Sequence, residues 1–277
     1  MAALIAYRNL IDRATLTDGG YGIDPNHPIE NLQQRGLAQY CAASSGSTLV
    51  IDAAFDDYRT IHLVGILGVS GHINGGIAGI FRVYTSNDGL AWTQQAELTF
   101  VEVDPVIDSI PRNVFIAFPA GVSALHLRVE AGFSGIDGAA QIARLWVGPA
   151  LALPDGIDAG WQMAFRDTGT LDATAGGQWV ESPGTRTRVL HVPLEGARDT
   201  SVAWGFQDGD SVASGAESLF GLQMTAGLTG EVIALPRTSS TVWMRYAGVY
   251  GHVETSWSIG HIAGPCWGST IQIAEER

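Results

Sequence analysis

Residues 82–92 read RVYTSNDGLAW. Arg-Val-Tyr-Thr alternates in the manner of a strand with two unlike faces, and Asn-Asp-Gly follows as a tight turn. Asp and Asn side chains bond nearby backbone N–H groups, and Gly takes positive φ without steric cost, so both suit such a turn. Trp92 opens the return strand. Two readings compete: the loop is a ligand platform built on Trp92, or it is a hairpin that makes the fold, with Trp92 as a candidate core residue.

Working outward, the preceding run IHLVGILGV (61–69) is apolar on both faces, as expected of an interior strand covered on both sides. In LHLRVEAGF, Leu125, Leu127 and Val129 point one way, while His126, Arg128 and Glu130 point the other. Further strands are expected at 80–85, 92–100, 113–118, 142–147, 187–194, 201–206, 218–224, 231–235, 241–250, 255–262 and 269–274. The best helix candidate is a turn or two around PIENLQQ (28–34). Many short strands separated by turn signals, with 35 glycines and almost no long amphipathic helix, describe an all-β chain of sandwich or jelly-roll type.

The stretch VGPALALPDGIDAG (147–160) ends a strand and runs through two prolines to a new aromatic segment at Trp161. It divides the 277 residues into 1–152 and 153–277, each the size of one β-sandwich domain.

All 15 basic residues are arginine, so lysine chemistry of the P-loop, Schiff-base or Ser–Lys kind is excluded. The net charge is −13, spread over both parts: 8 Arg against 14 acidic residues before residue 153, and 7 against 14 after it. An acidic surface repels phosphate backbones and anionic lipids, which argues against nucleic-acid binding or membrane insertion. MAALIAYRNL has too short an apolar run for a signal peptide, and synthesis in a cytoplasm is expected. Cys41 and Cys266 are read as two free thiols, with a disulfide between the halves as the alternative.

No catalytic motif stands out. The histidines at 27, 62, 72, 126, 191, 252 and 261 lack zinc spacing. Asp56-Asp57, Asp104/Asp108 and Asp208-Gly-Asp210 sit at turns, where Asp is at home; a glycosidase pair or a calcium loop is the less favoured reading. GHINGGIAG (71–79) leads into a strand instead of the helix a phosphate loop needs. No cofactor or metal is expected. Among the eight tryptophans, Trp146, Trp204 and Trp243 lie in strand patterns and are expected to pack. Trp257 and Trp267, in the Gly-rich C-terminal region, are the candidates for an interface.

The order of central apolar strand, loop, strand and Ser-x-Asp-Gly-x-x-Trp turn (Ser86, Asp88, Gly89, Trp92) resembles the galactose-binding-like jelly roll of discoidin-type domains. That resemblance covers about residues 1–150. More broadly, NLIDRATLT (9–17) and HPIENLQQRG (27–36) resemble the opening of tail-tip or baseplate virion proteins of tailed bacteriophages. GWQMAFRD (160–167), AGGQWVES (175–182) and TRTRVLHVPL (185–194) are similar to the second β-domain of such proteins. The resemblance implies an N-terminal jelly roll followed by a second β-sandwich or β-barrel-like domain. It also implies a non-catalytic structural role, other tail proteins as partners, a homo-oligomeric ring and a place in the virion after synthesis in the host cytoplasm. The alternative is a carbohydrate- or receptor-binding protein that meets a host surface glycan with jelly-roll loops.

Overall fold

The computed structural model describes residues 3–72, 78–101, 113–134, 137–153, 160–173, 179–182, 184, 186–193, 197–198, 217–254, 257–263 and 266–276. The chain begins with β1 (Ala3–Ala6), β2 (Thr15–Asp18) and β3 (Cys41–Ala42). Short 3-10 turns at Leu10–Arg13 and Ile29–Gln33 join them, the second where PIENLQQ was expected to turn. Next come β4 (Thr48–Leu67), β5 (Ser70–His72), β6 (Ala78–Ser86) and β7 (Thr93–Val101). β8 (Val114–Ser134), β9 (Asp137–Ile142), β10 (Arg144–Gly148) and β11 (Leu151–Leu153) follow. The second half holds β12 (Gln162–Asp167), β13 (Thr170–Ala173), β14 (Trp179–Ser182), β15 (Arg186–Pro193) and β16 (Ala197–Arg198). It continues with helix α1 (Leu219–Thr225), β17 (Glu231–Leu235), helix α2 (Thr241–Ala247) and β18 (Val249–Val253). β19 (Gly260–Ala263), β20 (Cys266–Gly268) and β21 (Thr270–Glu275) close the chain. The protein is all-β, and among the described residues it has two helices, each seven residues long.

A six-stranded antiparallel sheet, β10-β4-β8-β6-β7 with β2 on β4, faces a small sheet β3-β9-β5. Leu49, Ile51, Phe81, Val83, Leu127 and Val129 from the large sheet meet Cys41, Ala43, Ala140 and Ile142 from the small one. The expected alternation holds at Leu127 and Val129, which are buried while Arg128 and Glu130 stay half-exposed; Leu125, expected to point inward with them, is only half-buried. In IHLVGILGV, Ile61, Val64 and Ile66 enter this core, and Leu63 and Leu67 enter a second one on the opposite face. A register shift between Ile61 and Leu63 lets these two odd-numbered residues serve different faces. The run is therefore an interior strand covered on both sides.

The other large sheet has seven strands in the order β11-β1-β17-β18-β21-β15-β12, all antiparallel. One face packs on the first sandwich through Leu4, Ala6, Ile233, Leu235 and Tyr250 against Leu63, Leu67, Phe115 and Trp146. The opposite face carries Ala3, Ile5, Leu190, Val232 and Ile273 under Leu219, Leu222 and Ala226 of the α1 region. The four residues of β1 are buried on both faces, at roughly 1.5–3 kcal/mol for each large aliphatic side chain. They pair with β17, so a chain division at residues 152/153 does not coincide with the division between sheets. The break itself falls inside β11, whose Leu151 and Ala152 also pair with β1.

Two expected strands are helices. At 218–224, Ser218 accepts a hydrogen bond from the Gly221 N–H (2.9 Å), and Leu219, Leu222 and Ala226 recur at helical spacing toward the core. At 241–250, α2 occupies 241–247 before β18 begins, with Met244 and Ala247 inward. One helical turn puts Trp243 outside, 42% exposed, where a strand reading packs it.

Candidate functional site

The turn of RVYTSNDGLAW is built by its own side chains. Ser86 Oγ accepts from the N–H groups of Asp88 (3.3 Å) and Gly89 (2.9 Å), and donates to Asp88 Oδ1 (2.9 Å). Asp88 Oδ1 accepts from the N–H groups of Leu90 (2.8 Å) and Ala91 (2.9 Å). The Ala91 and Leu90 amides hold the Asp88 carboxyl down to about 2, because they bond only its ionised form well. Gly89 has φ +72°, the left-handed conformation that the Asn-Asp-Gly signal implies.

Trp92 is not in the core. It lies half-buried on the outer face of the six-stranded sheet, with the Arg128 guanidinium 4.4 Å from its ring centroid. Asp52 grips Arg128 with two hydrogen bonds of 2.6 Å, a fork geometry that holds the guanidinium plane still. The cause is register: Asp52 faces Arg128 across β4 and β8, and Arg128 faces Tyr84 across β8 and β6. One step along, Arg82 bonds both Glu97 (2.7 Å) and Glu130 (2.9 Å), and the Tyr84 hydroxyl donates to Glu130 (3.2 Å). An aromatic pair, Trp92 and Tyr84, thus sits among three carboxylates and two guanidinium groups on one sheet face. Leu90, at the turn tip beside it, is 85% exposed. The reading of Trp92 as core missed this because its partner, Arg128, is distant in sequence and declares itself only through register.

The remaining sequence candidates do not gather into a reactive site. Asp56 and Asp57 are exposed at the irregularity in β4. Asp104, Asp108, Asp208, Asp210, Trp204 and residues 73–77 lie outside the described residues. Cys41 is buried and free, its thiol pushed up to about 12 by burial and by the charges of Asp18 and Glu30. Among the described residues no three His, Cys, Asp or Glu side chains group as metal ligands. Trp146 is buried against Tyr250. Trp257 is half-buried against the core under α1, and its carbonyl accepts a hydrogen bond from Gln223 Nε2 (2.8 Å). Trp267 lies in β20, opposite Ala197 and His261, and its side chain lies outside the described residues. Further aromatics lie near β12, which ends the seven-stranded sheet among the described residues. Phe165 on β12 is 60% exposed, Tyr246 is 47% exposed, and Trp161 meets Trp243 edge-on at 6.3 Å.

Neither a family model nor a curated protein matches this sequence. Among solved structures, a family 32 carbohydrate-binding module of Clostridium perfringens NanJ, in complex with galactose, is 16% identical with a TM-score of 0.41. The match covers 51% of this chain and 98% of that one. A pectin-binding carbohydrate-binding module is 18% identical, covering 51% of this chain and 91% of its own, with a TM-score of 0.38. Chitosan-binding module 1 from the chitosanase/glucanase of Paenibacillus sp. IK-5 is 16% identical, with coverages of 51% and 98% and a TM-score of 0.39. Likeness at this level carries no functional assignment.

Proposed function

We propose that the protein is a non-catalytic glycan-binding protein that takes its ligand on the outer face of the six-stranded sheet, at Trp92. The observation that carries this reading is the position of Trp92: outside the core, stacked on an immobilised Arg128, at the end of a self-bonded turn. Sugars present C–H faces that pack on aromatic rings, and hydroxyls that pair with carboxylate and guanidinium groups. Tyr84, Glu97, Glu130 and Arg82 supply those groups within the same face. The same geometry speaks for binding over catalysis, since Asp52, Glu97 and Glu130 are each held by an arginine in the manner of fixed hydrogen-bond acceptors. A glycan array probed with the purified chain tests the reading. Selective retention of one glycan class supports it, and no retention on any glycan removes it.

A second reading is a subunit of a phage tail tip or baseplate, located in the virion and contacting other tail proteins or copies of itself in a ring. The sequence resemblance suggests it, and the exposed aromatic surface at β12 favours it. Aromatic residues beside arginine are typical of protein–protein contact centres. A monomer at all concentrations in sedimentation, together with flanking genes that encode no tail proteins, would remove this reading.

A further inference from the structure

Thr17, Asp52, Arg128, Tyr84 and Gln94 form one continuous row across the strands. Thr17 pairs with Asp52 between β2 and β4, and Asp52 with Arg128 between β4 and β8. Arg128 then pairs with Tyr84 between β8 and β6, and Tyr84 with Gln94 between β6 and β7. Residues directly opposite in antiparallel strands project to the same side, so all five line the outer face of the six-stranded sheet. Their sequence neighbours Leu16, Ala53, Leu127 and Val83 pack into the core on the other side. Thr17 and Gln94 are exposed, and Asp52, Arg128 and Tyr84 are half-buried.

The dimensions of the row decide how a glycan lies on it. Its five strands span four inter-strand spacings, about 19 Å in all. A pyranose ring is about as long as one such spacing, so the row is several sugars long. Its width suits a single sugar. A second row, Glu130, Arg82 and Glu97, runs beside it two residues along the strands, about 7 Å away. On the opposite flank the turn that carries Leu90 stands against His126, with Gly89 beside the imidazole. Both ends are open, since the outermost positions are the exposed Thr17 and Gln94. Trp92 lies at the middle, against Arg128, the third of the five residues. Each member of the row carries a hydroxyl, carboxylate, guanidinium or amide, so partners for sugar hydroxyls lie on both sides of the indole. A pocket for a terminal sugar closes around one ring. A row open at both ends, with its aromatic contact at the centre, takes a chain that runs through it.

We infer that the outer face binds an internal stretch of an unbranched polysaccharide, several sugars long, laid along the row from Thr17 to Gln94. This rests on the glycan-binding reading of the Trp92 face and adds that neither end of the sugar chain is recognised.

Affinity electrophoresis in gels carrying xylan, glucomannan, hydroxyethylcellulose or pectin tests this, followed by calorimetry with xylo-, manno-, gluco- and galacturono-oligosaccharides of increasing length. At least one polysaccharide should retard the protein. In the matching series, affinity should rise about tenfold or more from the monosaccharide to the hexasaccharide, as hydrogen bonds are added along the row. Reducing the end of the hexasaccharide to the alditol should leave its affinity unchanged. Thr17→Ala combined with Gln94→Ala, both exposed positions, should weaken the hexasaccharide about fivefold or more and the disaccharide less. Four results overturn the inference: no linear polysaccharide retards the protein, the monosaccharide binds as tightly as the hexasaccharide, end reduction removes binding, or the double variant binds the hexasaccharide as the parent does. Retention of array glycans with full affinity for their terminal monosaccharide would keep the glycan-binding reading and overturn this one. Binding to nothing on array or gel would remove both.

Discussion

Arg144→Met should cost the protein a large part of its stability, through the junction between the two large sheets. Arg144 is 0% exposed, and its guanidinium pairs at 2.7 Å with both Asp12 and Glu231 and donates to the Leu32 carbonyl at 3.0 Å. Methionine fills similar space but leaves Glu231, 13% exposed, facing the interior without its counter-charge. Removing one partner of a buried ion pair costs about 3–5 kcal/mol. Against a total of about 5–15 kcal/mol that is a major fraction. For a chain of this size the melting temperature should fall by about 6–20 °C. Urea unfolding, followed by tryptophan fluorescence and circular dichroism, measures the loss. Adding Glu231→Gln and Asp12→Asn should recover part of it, because the stranded charges account for most of the cost. A loss below about 1 kcal/mol in the single variant would refute the claim that this triad ties the sheets together.

Two further perturbations follow from the geometry. Glu217 is almost fully enclosed, with Arg8 at 3.5 Å; neither of its oxygens has a hydrogen-bond partner among the described residues, and the nearby Tyr7 hydroxyl is engaged with the Ser218 backbone. Burial raises its pKa, so the folded state holds the proton more tightly than the unfolded chain. The stability this brings is complete below about pH 4.3 and lost as pH rises through the folded value. Glu217→Gln should therefore raise the melting temperature near neutral pH, with the gap closing toward about pH 4; an equal gap at both would contradict the assignment. Gly89→Val should destabilise by about 1–3 kcal/mol through backbone strain alone. Its Cβ would meet His126 at an ordinary 3.5 Å, so the φ of +72° is the whole cause, and unchanged urea unfolding would sink it.

Two local patterns made part of the six-stranded sheet legible: IHLVGILGV is apolar on both faces, and the β8 run alternates at its centre. Leu127 and Val129 go in, Arg128 and Glu130 stay out, and Asn-Asp-Gly turns at a positive-φ glycine. The helices were hidden by their length. Seven residues hold two or three inward contacts, and Leu219, Leu222 and Met244 fit a strand as readily when read without their neighbours. β1 was missed for a related reason, since four residues buried on both faces show no period. The outer-face site was only half legible. Ser86, Asp88 and Trp92 could be read as a local turn, but whether Trp92 faces inward depends on Arg128 and Asp52, which only strand register brings together.

Glycan binding on the outer sheet face requires Trp92 to be a surface contact. On a glycan retained by the array, calorimetry should show Trp92→Ala losing affinity by about tenfold or more. Its stability should fall by only about 1–2 kcal/mol, the worth of a half-buried ring stacked on an arginine. A loss of about 3–5 kcal/mol with glycan affinity intact would show Trp92 to be a core residue of the hairpin and would contradict the account.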